Sequence, residues 1–222
     1  MNKRVFWVLA IISTASLLGQ AVIYPFLPAV VPIHWGTASQ PDNWGPKIAN
    51  LLLAALPLAL LVFLRFMPRL DPRYANYKNH AKAYSALAVA VTLLLIFVGW
   101  FASLYALGLH LPIGFFVLLM VGLLMVVLGN YMPQIRPNYF FGIKTPWALA
   151  NPEVWRKTHR FGGIVFCAAG LVILISAFLP GTLAVWATVG SAVCAALVPA
   201  AYSYFIFKKI NPTTQEDSHA EH

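Results

Sequence analysis

The chain has 222 residues, 60% of them hydrophobic and only 9% charged, with a mean hydropathy of +0.76, whereas an ordinary soluble domain carries about 25% charged residues. That composition excludes a water-soluble fold, and the length holds about six spans of ~20 residues with short connections and no separate soluble domain. The formal net charge of +9 does not point to nucleic acid, because the bases are divided among short segments flanking apolar runs instead of forming one contiguous face.

In chain order the apolar runs are 5–27, 48–64, 85–107, 113–129, 161–179 and 183–207, each long enough to cross a hydrocarbon core of ~30 Å. The first follows Met1–Arg4 but is too long for a signal-peptide core and lacks a small-x-small cleavage site, so it reads as a span. Lipid offers backbone groups no water, so the runs must be helices, with Pro57, Gly99, Gly122 and Pro199 tolerated as kinks. The expectation is an all-α integral membrane protein, a single membrane domain over 1–222 with six transmembrane helices. An external loop spans 28–47, a cytoplasmic loop 130–160 and a polar tail 208–222.

Orientation follows from the bases. Lys3, Arg4, Arg65, Arg69, Arg73, Lys78, Lys82, Arg136, Lys144, Arg156, Lys157, Arg160, Lys208 and Lys209 share one side, and Lys47 stands alone on the other. The positive-inside rule then makes both termini cytoplasmic. No predicted span contains Asp, Glu, Lys or Arg, which disfavours an ion-coupled pump, since coupling needs a midplane charge. The small polar residues in the spans suit helix packing; Gln20 and Asn50 alone invite a larger role. Cys167 and Cys194 read as small hydrophobes.

Function then belongs to the two long loops. In the external one, Pro28 and Pro32 stop the first helix and hold an extended exit, while Gly36, Pro41 and Asp42 supply turn chemistry. His34, Trp35, Asp42, Asn43, Trp44 and Lys47 crowd this segment and are its candidate ligand-binding residues, with Asp42 and Lys47 expected to pair. The competing readings are an aromatic belt for the tryptophans and a loop latch for the ion pair.

The cytoplasmic loop holds six aromatic residues, four prolines and five bases. Asn151, Pro152 and Glu153 read as N-cap, first-turn proline and dipole-favoured acid, so a helix should start there and continue into the fifth span. Trp155, Thr158 and His159 then share one face, and Gly162 and Gly163 permit a close crossing or a bend. Tyr139, Phe140 and Phe141 ahead of Gly142, with Lys144, Thr145, Pro146 and Trp147, are expected to lie in the membrane interface as a partly re-entrant segment. There is no HExxH, no GxSxG and no carboxylate pair, and Glu153 cannot share a helix face with His159, so no enzyme, catalytic residue, cofactor or metal is expected.

The external stretch P-x-H-W-x3-S-Q-P-D-x-W-x2-K (Pro32, His34, Trp35, Ser39 to Asp42, Trp44, Lys47) resembles the N-terminal domain, of unassigned function, of bacterial membrane proteins of the SdpI family. The stretch G-N-x-M-P-x3-P-N-x2-F-G-I-K-T-P-W followed by N-P-E-V-W-x-K-T-H-R-x-G-G (Gly129 to Gly163) resembles that family's signature. It contributes Asn130, Pro133, Asn138, Phe141, Gly142, Lys144, Thr145, Pro146, Trp147, Trp155, Thr158 and His159 as candidate partner-contacting residues. The resemblance implies an immunity and signalling protein of a bacterial or archaeal cytoplasmic membrane. Its implied partners are membrane lipids, a secreted sporulation-delaying toxin peptide outside and a helix-turn-helix autorepressor inside, with no direct nucleic acid. The alternative is a small-solute or lipid transporter, or envelope accessory protein, without ion coupling.

Overall fold

The computed structural model describes residues 1–36 and 40–211; Ser39 of the external motif and residues 212–222 of the polar tail lie outside the described residues. The fold is all-α, built on six helices long and apolar enough to cross a membrane. Helix α1 (Lys3–Ile23) leads through a hairpin, β1 (Val30–Trp35) and β2 (Pro41–Pro46), into α2 (Ile48–Phe66). Then come α3 (Ala81–Ala106), α4 (Ile113–Tyr131), the short α5 (Pro146–Ala150), α6 (Pro152–Ser176) and α7 (Gly181–Ile210). Asn151 caps α6, its Oδ1 accepting from the Glu153 and Val154 N–H groups at 2.8 and 3.3 Å, so α6 begins where the Asn-Pro-Glu sequence places a helix start.

The helices form two groups, α1–α2–α3 and α4–α6–α7, joined along α3 and α4. Lipid supplies no hydrophobic drive between helices, so association depends on close backbone approach and interhelical hydrogen bonds, and both occur in the bundle. Between α4 and α6, Gly129 faces Gly163 and, two turns along, Gly122 faces Gly170; a Cβ on Gly129 would stand 2.6 Å from the Gly163 carbonyl oxygen. In the first group, Asn50 Nδ2 donates to Ser103 Oγ at 2.7 Å and to Gln20 Oε1 at 3.2 Å, and Ser103 Oγ also reaches Gln20 Oε1 at 2.5 Å. The triad ties α1, α2 and α3 together near the hairpin end. Large apolar side chains such as Ile11, Val22, Ile164, Phe178 and Trp186 stay exposed on the outside of the bundle, where lipid would cover them.

The hairpin is a feature beyond the expected compact loop. Its strands pair antiparallel, Val30 with Pro46 and Val31 with Gly45, and the register slips on either side of His34. Prolines at 32, 41 and 46 are compatible with it because both strands of a two-stranded sheet are edge strands. Val31 and Pro32 are buried, and Lys47 N donates to Ala29 O at 3.0 Å to close the neck. At the opposite end of the bundle lie the basic segments 67–80 and 132–151.

Candidate functional site

At the hairpin end, the register slip brings His34 against Asp42, Nδ1 to Oδ1 at 2.5 Å, with both side chains exposed. This corrects the expected Asp42–Lys47 pair: the ammonium of Lys47 instead sits 4.7 Å over the Tyr24 ring at the neck. The reason is the pairing itself, which sets 34 and 42 side by side and sends 47 to the start of α2. Trp35 packs edge-on against Tyr105 of α3 at 6.0 Å, so it anchors the hairpin to the bundle, whereas Trp44 is 52% exposed. Asn43 Oδ1 accepts the Trp44 N–H at 2.8 Å.

His34, Trp35, Gln40 and Asp42 line an open depression of about 650 Å³, while Asn43, Trp44 and Lys47 do not. Gly36 and Val185 belong to this depression and also to an apolar cavity of about 450 Å³ formed with Phe115, Leu118, Ala177 and Thr188 at the ends of α4, α6 and α7. A polar vestibule therefore opens beside an apolar cleft, an arrangement that suits an amphiphilic ligand. Sequence reading missed the cleft, because its residues carry the same apolar signal as lipid-facing ones.

At the basic end, the signature segment is folded inward. Asn138, fully buried, accepts the Phe140 and Phe141 N–H groups on Oδ1 (2.9 and 2.8 Å) and donates Nδ2 to the Arg136 and Phe141 carbonyls (both 3.0 Å). The following turn needs Gly142, whose φ is +105° and where any Cβ would collide with the His159 ring. His159 Nε2 accepts the Ile143 N–H at 3.0 Å and Nδ1 donates to the Trp155 carbonyl at 2.9 Å, which fixes the tautomer and engages both nitrogens. Trp155 stacks on this ring at 4.1 Å and donates Nε1 to Ile135 O at 2.8 Å. Thr158 is buried beside them, its hydroxyl without a hydrogen-bond partner among the described residues.

Thr145 caps α5 by accepting Ala148 N–H at 3.2 Å and bonds Ser203 of α7 at 2.7 Å. Pro146 opens α5, and Trp147 meets Tyr204 edge-on at 5.0 Å. Asn130, Pro133 and Lys144 are exposed, the last donating to Phe140 O at 3.1 Å. Phe141 is not an interfacial anchor: it packs among Tyr77, His80 and Tyr84. Side chains of Asn138, His159 and Asp71 satisfy the backbone donors of Tyr139, Phe140, Phe141 and Ile143 that water would otherwise have to serve.

Two of those neighbours escaped sequence reading. Asp71, nearly fully buried, accepts from Tyr77 OH (2.9 Å), Tyr139 N–H (3.0 Å) and Arg73 N–H (2.7 Å). Burial and this bond push the Tyr77 phenol up, so it stays the donor. His80 Nδ1 accepts the Arg136 N–H at 3.1 Å; burial first, then the positive N-terminus, lower its pKa to about 4, keeping it a neutral acceptor. The signal was present: Asp71 is the lone acid among Arg65, Arg69, Arg73, Lys78 and Lys82, and a buried carboxylate amid bases is costly unless hydrogen-bonded.

Among the described residues no group of His, Cys, Asp or Glu could hold a metal ion. Residues 134–203 match the model of the SdpI/YfhL protein family, and residues 11–61 match a domain of unknown function (DUF1648). The chain is 27% identical over 212 residues to the immunity protein SdpI of Bacillus subtilis (strain 168), covering 95% of this chain and 99% of that protein. It is also 37% identical over 62 residues to the uncharacterised membrane protein YbgB of the same organism, covering 28% of this chain and 63% of that one. No solved structure matches. Residues 134–203 are thus similar to the SdpI/YfhL family, and the chain is a multi-pass protein of the cytoplasmic membrane.

Proposed function

We propose that this protein confers immunity to a secreted amphiphilic toxin peptide, acting by binding without chemistry. The observation that carries the reading is the similarity to an immunity protein along 95% of the chain. The hairpin end faces outside and the basic end faces the cytoplasm, as the positive-inside rule requires of this charge distribution. A toxin peptide lays its apolar side into the cleft between α4, α6 and α7 and its polar side against His34 and Asp42 in the vestibule. Trp44, exposed on the hairpin, adds an aromatic contact at the lipid–water boundary.

On the cytoplasmic side the inward-folded signature holds the surface in shape, and the exposed Arg136, Tyr139, Lys144, Arg156 and Arg160 form the face offered to a helix-turn-helix repressor. Signalling requires the toxin to prefer one arrangement of the bundle over another. The route lies along α4 and α6, which line the cleft at one end and frame the signature at the other. The test is survival of a toxin-sensitive bacterium challenged with the sporulation-delaying peptide, with and without this gene at matched membrane expression. Protection that is lost on replacing His34 and Asp42 by Ala supports the reading. Equal killing with and without the gene refutes that toxin as the ligand and favours the transporter alternative.

A further inference from the structure

A cavity of about 190 Å³ opens at the basic end, where α2 leaves its apolar stretch, lined by Arg65, Arg69, Lys78, Tyr74, Tyr77 and Met1. At ~30 Å³ per water-sized group, it has room for a phosphate with its first substituents. Its charge is one-sided. None of Arg65, Arg69 and Lys78 has a hydrogen-bond or ion-pair partner among the described residues. The nearby carboxylate, Asp71, is buried and already occupied by Tyr77, Tyr139 and Arg73.

The guanidinium groups are also held in place. Arg65 sits 5.7 Å over the Phe6 ring and Arg69 5.2 Å over Phe66, so less freedom is lost when an anion binds. Guanidinium groups suit phosphate oxygens through paired N–H donors.

We propose that this cavity binds the phosphate of an anionic lipid headgroup. A lipid is favoured over a soluble phosphate because Phe63, Phe66 and Leu70, on the last turns of the same helix and just beyond it, are exposed and offer acyl chains an apolar track leading from the cavity. The site lies apart from the vestibule and cleft and does not depend on the immunity reading.

The test uses the full chain in detergent, exposed to phosphatidylglycerol and phosphatidylcholine and weighed intact by native mass spectrometry. Wild type is expected to retain phosphatidylglycerol preferentially, and Arg69→Gln with Lys78→Gln to lower that preference roughly thirtyfold, as the loss of two juxtamembrane charges implies. Both side chains are exposed, and the melting temperature verifies the fold; Lys78→Gln alone serves if the double variant is unstable. Lys208→Gln with Lys209→Gln removes the same charge elsewhere and should leave the preference intact. An equal fall in both pairs, or no fall in either, overturns the site. Stripping of phosphatidylglycerol by millimolar inorganic phosphate overturns the lipid assignment and points to a soluble phosphate.

Discussion

Gly129→Ala tests the packing that holds the second helix group together. The added methyl would stand 2.6 Å from the Gly163 carbonyl oxygen and 2.7 Å from both the backbone nitrogen and the sulfur of Cys167. Two of these three atoms are backbone and cannot swing aside, so α4 and α6 must part by about 0.7 Å to restore van der Waals contact, loosening every neighbouring contact. Overpacking of this kind costs about 1–3 kcal/mol, offset by at most ~1 kcal/mol of helix propensity gained from Gly to Ala. The expected outcome is a net loss of about 1–2 kcal/mol. The assay is reversible unfolding of the purified protein in mixed micelles with increasing SDS, followed by circular dichroism. Gly190→Ala is the control, since nothing lies within 4 Å of a Cβ there, and it should unfold at or above the wild-type midpoint. Gly163→Ala combined with Gly129→Ala should cost less than the sum of the two, because the first substitution has already opened the crossing. Unfolding of Gly129→Ala at the wild-type midpoint would refute the close α4–α6 approach.

Lowering the pH should destabilise the basic end through His80. Above its ordinary value of 6.5 the imidazole is neutral whether folded or unfolded. Below it the unfolded chain takes up the proton first, so stability falls until the folded imidazole protonates near pH 4, a loss of about 3 kcal/mol. Unfolding midpoints at pH 7.5, 6 and 5 should show this slope in wild type, and the slope should flatten in His80→Gln. Asp42→Asn should leave the melting temperature within experimental error, since an exposed pair contributes less than about 1 kcal/mol, yet reduce protection against the toxin; unchanged protection would argue against the vestibule. Asn50→Leu breaks the triad with Gln20 and Ser103 and should cost about 0.6–2 kcal/mol, read as a shift of the SDS midpoint. His159→Ala should expose the 138–145 turn, because the Ile143 N–H loses its buried acceptor at a cost of about 1–3 kcal/mol; limited proteolysis would show new cleavage there.

The number of spans and the start of α6 at Asn151 could be read from residues alone because each rests on a local rule. Apolar length decides what crosses lipid, and an Asn-Pro-Glu sequence favours a helix start through its own side chains and fixed proline φ. The shared face of Trp155, Thr158 and His159 followed from helical periodicity; the absence of side chains at Gly162 and Gly163 allowed a crossing or a bend, and the packing of α4 against Gly163 decided for the crossing. What local rules could not supply was which partner each polar group finds. Asp42 had Lys47 within reach in sequence, and only strand pairing with its register slip gave it His34 instead. Asp71 looked like one acid in a basic loop until the 132–145 segment closed over it and supplied the Tyr139 N–H, and Phe141 looked like a membrane anchor until Tyr77, His80 and Tyr84 surrounded it. The apolar cleft of α4, α6 and α7 was hidden for a related reason: hydropathy does not distinguish a residue facing lipid from one facing a cavity, and that choice is made when the helices pack.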